Sequence, residues 1–130
     1  MKLDEYEKLD RYDYCGMIDI QSFFNDKLFL DMDVDIYNLE PNQFHAILKD
    51  FCLHMMDETF ELLRELNWKM HIPWDKELDR EKIIEELVDI DKFKKNILML
   101  MKVTEEEFVD AWNKKTQKVL DKYEKTKTAK

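Results

Sequence analysis

An all-α fold follows from three features of the sequence. The 130 residues contain one glycine, Gly16, and two prolines, Pro41 and Pro73, whereas a β-sandwich or barrel needs turn residues at roughly every tenth position. Apolar residues recur every three or four positions over long runs, the spacing of one buried helix face. Hydrophobic residues make up 45% of the chain and charged residues 39%, the balance of a highly charged helical domain rather than of a disordered segment.

Four helices are expected in order. The segment from about Met17 to Leu30 predicts the first, with Ile18, Ile20, Phe23, Phe24 and Leu28 apolar. Asp31 to Glu40 mixes Asp with apolar residues and reads as an irregular loop, because no partner strand is evident. Pro41 suits the first position of a second helix, which runs to about Leu66. A loop from Asn67 to Asp79 holds Trp68, His71, Pro73 and Trp74, and Asp79 then caps a third helix reaching about Met101. Thr104 and Glu107 form the T-x-x-E capping box of a fourth, with Phe108, Trp112, Val119 and Tyr123 on one side. The tail from Lys122 to Lys130 is expected to fray. Amphipathic helices with mostly short connections assemble economically as a four-helix bundle. Eight methionines and eight phenylalanines leave apolar surface for a second copy to cover, so a homodimer or higher homo-oligomer is expected.

Charge and length exclude several classes. With 21 basic and 30 acidic residues the net charge is −9, which argues against binding a nucleic-acid polymer through its backbone. No apolar run approaches the ~20 residues of a membrane span. The first residues alternate Asp, Glu, Lys and Tyr rather than forming an apolar leader. Cys15 and Cys52 have no C-x-x-C spacing and read as buried reduced thiols. A cytoplasmic location is the expectation.

Two glutamates sit where a helix core wants leucine. Glu58 falls on the stripe Phe44, Leu48, Phe51, Met55, Glu58, Leu62, Leu66, and Glu86 on the stripe Ile83, Glu86, Ile90, Phe93, Ile97, Leu100. An unpaired carboxylate there costs several kcal/mol unless it is protonated, paired or bound to a cation. Each has a second carboxylate one turn on, Glu61 and Asp89. Taken alone such pairs are weak signals, since acidic pairs usually mark solvated faces. Here both touch the apolar stripe, and they lie on the two longest helices, which one loop makes antiparallel neighbours. Four converging carboxylates form a site for a hard divalent cation. No Glu-x-x-His pair occurs, which disfavours a di-iron bundle, and neither His nor Cys clusters as zinc prefers. Mg²⁺ suits the set, with Mn²⁺ as substitute. Mg²⁺ held this way usually also holds substrate phosphates.

The run Glu58-Thr-Phe-Glu61-Leu-Leu-Arg-Glu-Leu-Asn-Trp68-Lys69, followed by Glu86-Leu-Val-Asp89-Ile-Asp-Lys-Phe93, resembles the all-α nucleoside triphosphate pyrophosphohydrolases, which include the dimeric dUTPases and the MazG-like enzymes. Their signature is E-x-x-E, a spacer and E-x-x-D; here residues 62 to 85, 24 positions, form the spacer. The Trp-Lys pair is similar to the dimeric dUTPase branch. So is the run Ile20-Gln21-Ser-Phe-Phe-Asn25-Asp26, set against that branch's L-Q-x-x-L-N-D helix. Lys115 to Tyr123 loosely resembles its K-N-x-x-N-x-x-R element. The likeness spans about Met17 to Tyr123. It departs at Asp91-Lys92, where many dimeric dUTPases have Trp-His, at Lys122, which replaces an arginine, and at the second asparagine, which is absent. The insertions of the larger dUTPases are also missing, as in a smaller, phage-type or bacterial relative. These departures bear on base specificity more than on metal binding.

The resemblance implies an N-terminal extension (1–16), a pyrophosphohydrolase domain (17–126) and a flexible tail (127–130). It implies Mg²⁺-dependent hydrolysis of a (deoxy)nucleoside triphosphate, dUTP first, to the monophosphate and pyrophosphate. Two or three Mg²⁺ ions on Glu58, Glu61, Glu86 and Asp89 would neutralise the acids, bridge phosphate oxygens and acidify a bound water. Glu61 would also orient or deprotonate that water; the alternative is a plain ligand. Lys69, Lys115 and Lys122 are candidates for countering phosphate charge, the last two sharing a face with Lys118 that otherwise reads as solvated surface. Gln21 and Asn25, one turn apart, offer donor and acceptor groups to a uracil edge, or are ordinary exposed polar residues. Trp68 walls the site or stacks on the base, or belongs to the core. Alternatives of other classes are a MazG-like enzyme acting on another or several dNTPs, and a non-catalytic nucleotide-binding or interaction bundle.

Overall fold

A computed structural model describes residues 21–22, 25–29, 31, 35, 38–66, 71 and 77–128. The expectations for the N-terminal extension, Cys15, Trp68 and Lys69 lie outside the described residues. Helix α1 is described at residues 21, 22, 25–29 and 31. It precedes α2 (Pro41–Arg64), α3 (Arg80–Leu100) and α4 (Glu105–Thr128). No strand occurs among the described residues, as an all-α fold requires. None of the described helices is long and apolar enough to cross a membrane.

Local chemistry sets the helix ends. Pro41 opens α2, where its missing N–H costs nothing, and the Glu40 N–H donates to Gln43 Oε1 at 3.0 Å. The helix stops two residues short of the expected Leu66. The Glu65 and Leu66 N–H groups donate to the Leu62 and Leu63 carbonyls, both at 3.0 Å, a three-residue tightening that ends the ladder. Asp79 Oδ1 accepts the Lys82 N–H at 3.1 Å and caps α3. Lys102 then turns the chain with φ 54°, the left-handed region that glycine normally fills. Thr104 Oγ1 accepts the Glu107 N–H at 3.1 Å to start α4. Glu105, Glu106 and Glu107 in its first turn and Lys125 and Lys127 in its last complement the helix dipole. Thr126 and Thr128 hydroxyls donate to the Lys122 and Glu124 carbonyls, and α4 stays helical to Thr128.

The chain forms two compact units, Met1–Leu100 and Met101–Lys130. In the first, α2 and α3 make an antiparallel hairpin: Glu58 lies by Glu86 and Asp89, and His54 lies on Phe93. Phe29 of α1 closes one end against Phe51 and Leu100, with Phe44, Ile47, Leu48 and Ile97 around them. The Phe29 and Phe51 rings meet edge-on at 6.3 Å and 75°, an arrangement that adds about 1 kcal/mol to their burial. The expected stripes face inward except at Leu66, which lies past the end of α2 and is exposed: Phe51, Glu86 and Leu100 are buried, and Phe44, Leu48, Met55, Glu58, Leu62, Ile83, Ile90, Phe93 and Ile97 are half-buried. Outward, α2 exposes Leu53, Met56 and Phe60, and α3 exposes Ile84, Leu87 and Val88. The second unit is α4 with its lead-in; none of its described residues is buried, and Trp112, Val119, Leu120 and Tyr123 are exposed.

Candidate functional site

The inner side of the hairpin holds a cleft of about 800 Å³. Its walls come from α1 (Gln21, Asn25), α2 (Phe51, His54, Glu58) and α3 (Asp89, Phe93, Asn96) among others. On α3 these residues follow i, i+4, i+7 spacing, and on α2 i, i+3, i+7, so each helix offers one face.

One end is acidic. Glu58, Glu86 and Asp89 each present a carboxylate oxygen within 4.8 Å of the other two. Glu86 is only 2% exposed. Its Oε1 takes the Lys82 ammonium at 3.1 Å, while its buried Oε2 has no hydrogen-bond partner. Glu58 is pushed above its ordinary pKa, by burial first and then by the Asp89, Glu61 and Glu86 carboxylates. Facing carboxylates repel unless a proton or a cation lies between them. The Lys82 ammonium beside Glu86 is in turn held above its usual pKa by that contact. An orphaned carboxylate oxygen beside two further carboxylates fits a hard, oxygen-seeking cation. Glu61 stands one turn beyond Glu58 and is half-buried. It is near enough to act on Glu58, but lies outside the three-carboxylate group.

The other end is neutral. Asn96 Oδ1 accepts Gln21 Nε2 at 2.9 Å and Asn25 Nδ2 at 2.8 Å, and Gln21 Nε2 also approaches Asn25 Oδ1 at 3.4 Å. All three amides are buried. Because Asn96 uses its oxygen on both partners, its own N–H groups are not consumed within the trio. Seven residues of α3 separate Asn96 from Asp89, which is about 10 Å along the axis. Between the two ends, His54 lies on Phe93, ring centroids 5.2 Å apart and planes 8° from parallel.

Of the residues singled out in the sequence, the hairpin therefore brings together Glu58, Glu86 and Asp89, with Glu61 adjoining, and places Gln21 and Asn25 in the same cleft. Lys115 and Lys122 lie on α4 in the second unit, exposed. Asn96, His54 and Lys82 carry no motif and were not singled out for the site. Asn96 follows Asp89 by seven residues, His54 precedes Glu58 by four and Lys82 precedes Glu86 by four, so extending the acidic pairs by one or two turns along each face finds all three. No protein-family model, no curated protein and no solved structure matches the chain.

Proposed function

We propose that the chain is a Mg²⁺-dependent nucleoside triphosphate pyrophosphohydrolase of the dimeric dUTPase and MazG-like type, with dUTP as the leading substrate. One observation carries this reading: a buried amide trio and the carboxylates Glu58 and Asp89 line one cleft, with Asn96 about 10 Å along α3 from Asp89, a reach that suits a ligand with a polar ring edge at one end and an anionic group at the other. In this reading Glu58, Glu86 and Asp89 would hold Mg²⁺, and the chemistry it would supply when bound is Lewis-acid activation of phosphate and water. Glu61, one turn above the group, receives that water's proton or orients it for attack. Asn96 joins Gln21 and Asn25 in reading the base edge, its unused N–H groups facing an acceptor such as a carbonyl. Lys69, Lys115 and Lys122 remain candidates for the phosphate charge.

The finer architecture belongs to the same proposal: a four-helix bundle that pairs with a second copy. Its support is the outer face of α2, where Leu53, Met56 and Phe60 are each more than half exposed beside an apolar groove of about 360 Å³. A cytoplasmic location accompanies it. Sedimentation equilibrium at micromolar concentration is expected to give twice the chain mass; a monomer would remove the pairing.

The hydrolytic reading is tested with a panel of deoxy- and ribonucleoside triphosphates scored for pyrophosphate, with and without Mg²⁺. Mg²⁺-dependent release is expected, with dUTP foremost. Release from another dNTP in place of dUTP favours the MazG-like alternative. Glu61→Gln and Asp89→Asn are each expected to lower release by about 100-fold or more with an unchanged helical circular-dichroism spectrum. Full activity in both variants would remove the mechanism.

A further inference from the structure

His54 belongs to none of the motifs, yet its ring is stacked in the cleft and has a carboxylate nearby. One face lies on Phe93 at 5.2 Å, nearly parallel. Nε2 stands 3.4 Å from Asp50 Oδ2, one turn back on α2. The side chain is nonetheless 54% exposed. An exposed imidazole stacked on another ring has given up rotamer freedom while about half of the side chain stays open to solvent.

Its position gives that face a use. Phe93 precedes Asn96 by three residues and His54 precedes Glu58 by four, so the stacked pair lies between the amides and the carboxylates. Amide side chains recognise the edge of a planar ring through donors and acceptors, whereas an aromatic face recognises the ring's face. A ring whose edge reaches Asn96 lies with its face over the next turn of the hairpin, where His54 is. We infer that His54 is the stacking platform for a nucleobase whose edge the Gln21–Asn25–Asn96 trio reads, with Phe93 backing it. His54 is thus a positioning residue with no part in the chemistry at phosphorus. The base is taken from the proposed function; the stacking itself does not depend on turnover.

The test therefore reads binding. The full chain with Mg²⁺ is titrated with dUMP, dCMP, dTMP, dAMP and dGMP and followed by proton NMR. On binding, the base ring protons of the preferred nucleotide are expected to move upfield under the imidazole ring. His54→Ala is expected to weaken binding about tenfold and to reduce the upfield movement. His54→Phe is expected to restore both, and all three proteins should keep the same circular-dichroism spectrum. Equal affinity and equal ring shifts in His54→Ala overturn the inference, as does failure of His54→Phe to rescue a folded protein. In the triphosphate assay His54→Ala should raise KM and leave kcat near the wild-type value, and His54→Phe should bring KM back. Nucleotide binding without pyrophosphate release would sink the hydrolase reading alone, and a wild-type chain that binds no nucleotide would sink both.

Discussion

The two ends of the cleft are both polar, the amides and Glu86 buried and Glu58 and Asp89 half-buried, yet they are finished differently. At the amide end Gln21, Asn25 and Asn96 bond to one another at 2.8–3.4 Å. At the acidic end three carboxylates face each other, one oxygen of Glu86 has no partner, and Glu58 is driven above its normal pKa. A self-satisfied polar network contributes to the fold without a ligand, whereas an unsatisfied one costs stability until something arrives. On the proposed reading, the contrast separates a preformed surface that reads a base from a site that awaits a counter-ion.

That contrast can be broken from either side, and the expected signs are opposite. The largest effect is expected for Asn96→Ala, which strands the Gln21 and Asn25 donors in the interior. It should destabilise the chain by about 2–3 kcal/mol, read as a shift in the urea midpoint, and leave the stabilisation by Mg²⁺ in place. Glu86→Leu should do the reverse. Replacing a buried, poorly satisfied carboxylate with an apolar side chain is expected to stabilise the metal-free chain by about 1–2 kcal/mol while abolishing the Mg²⁺-induced rise in melting temperature. A destabilised Glu86→Leu chain would mean that the acidic end is satisfied after all.

The smallest effect is a pH dependence. Glu58 titrates above its ordinary value of 4.5 in the folded chain, so between that value and the raised one the folded state binds more protons than the unfolded state. Stability in EDTA should therefore decline as pH rises through this window. Mg²⁺ displaces the same proton, so its stabilising effect should grow across the window. Melting curves recorded with EDTA and with Mg²⁺ from pH 4 upward check both slopes, and Glu58→Gln should flatten them.

Much of this was legible in the sequence, for a definable reason. Periodicity states which face of a helix turns inward, so Glu58, Glu86 and the apolar residues around them could be placed before any coordinates. Helix starts were equally plain, since Asp79 and Thr104 cap by local hydrogen bonds. Asn96 and His54 were not, because their roles depend on partners far along the chain: Asn96 bonds to residues 71 and 75 positions away, and His54 stacks on a different helix. The end of α2 was missed by two residues, as no glycine marks it and the Glu65 turn uses only backbone groups.

Lys82 bears on stoichiometry. The three grouped carboxylates, Glu61 left outside the group, set against one ammonium leave two negative charges, the amount that one divalent ion cancels. On the proposed reading, the resting cluster is brought to electroneutrality by a single Mg²⁺ and has no positive charge to spare. A triphosphate with about four negative charges must then be escorted by cations of its own. Calorimetric titration should count one ion per chain without nucleotide and more than one with a non-hydrolysable triphosphate present.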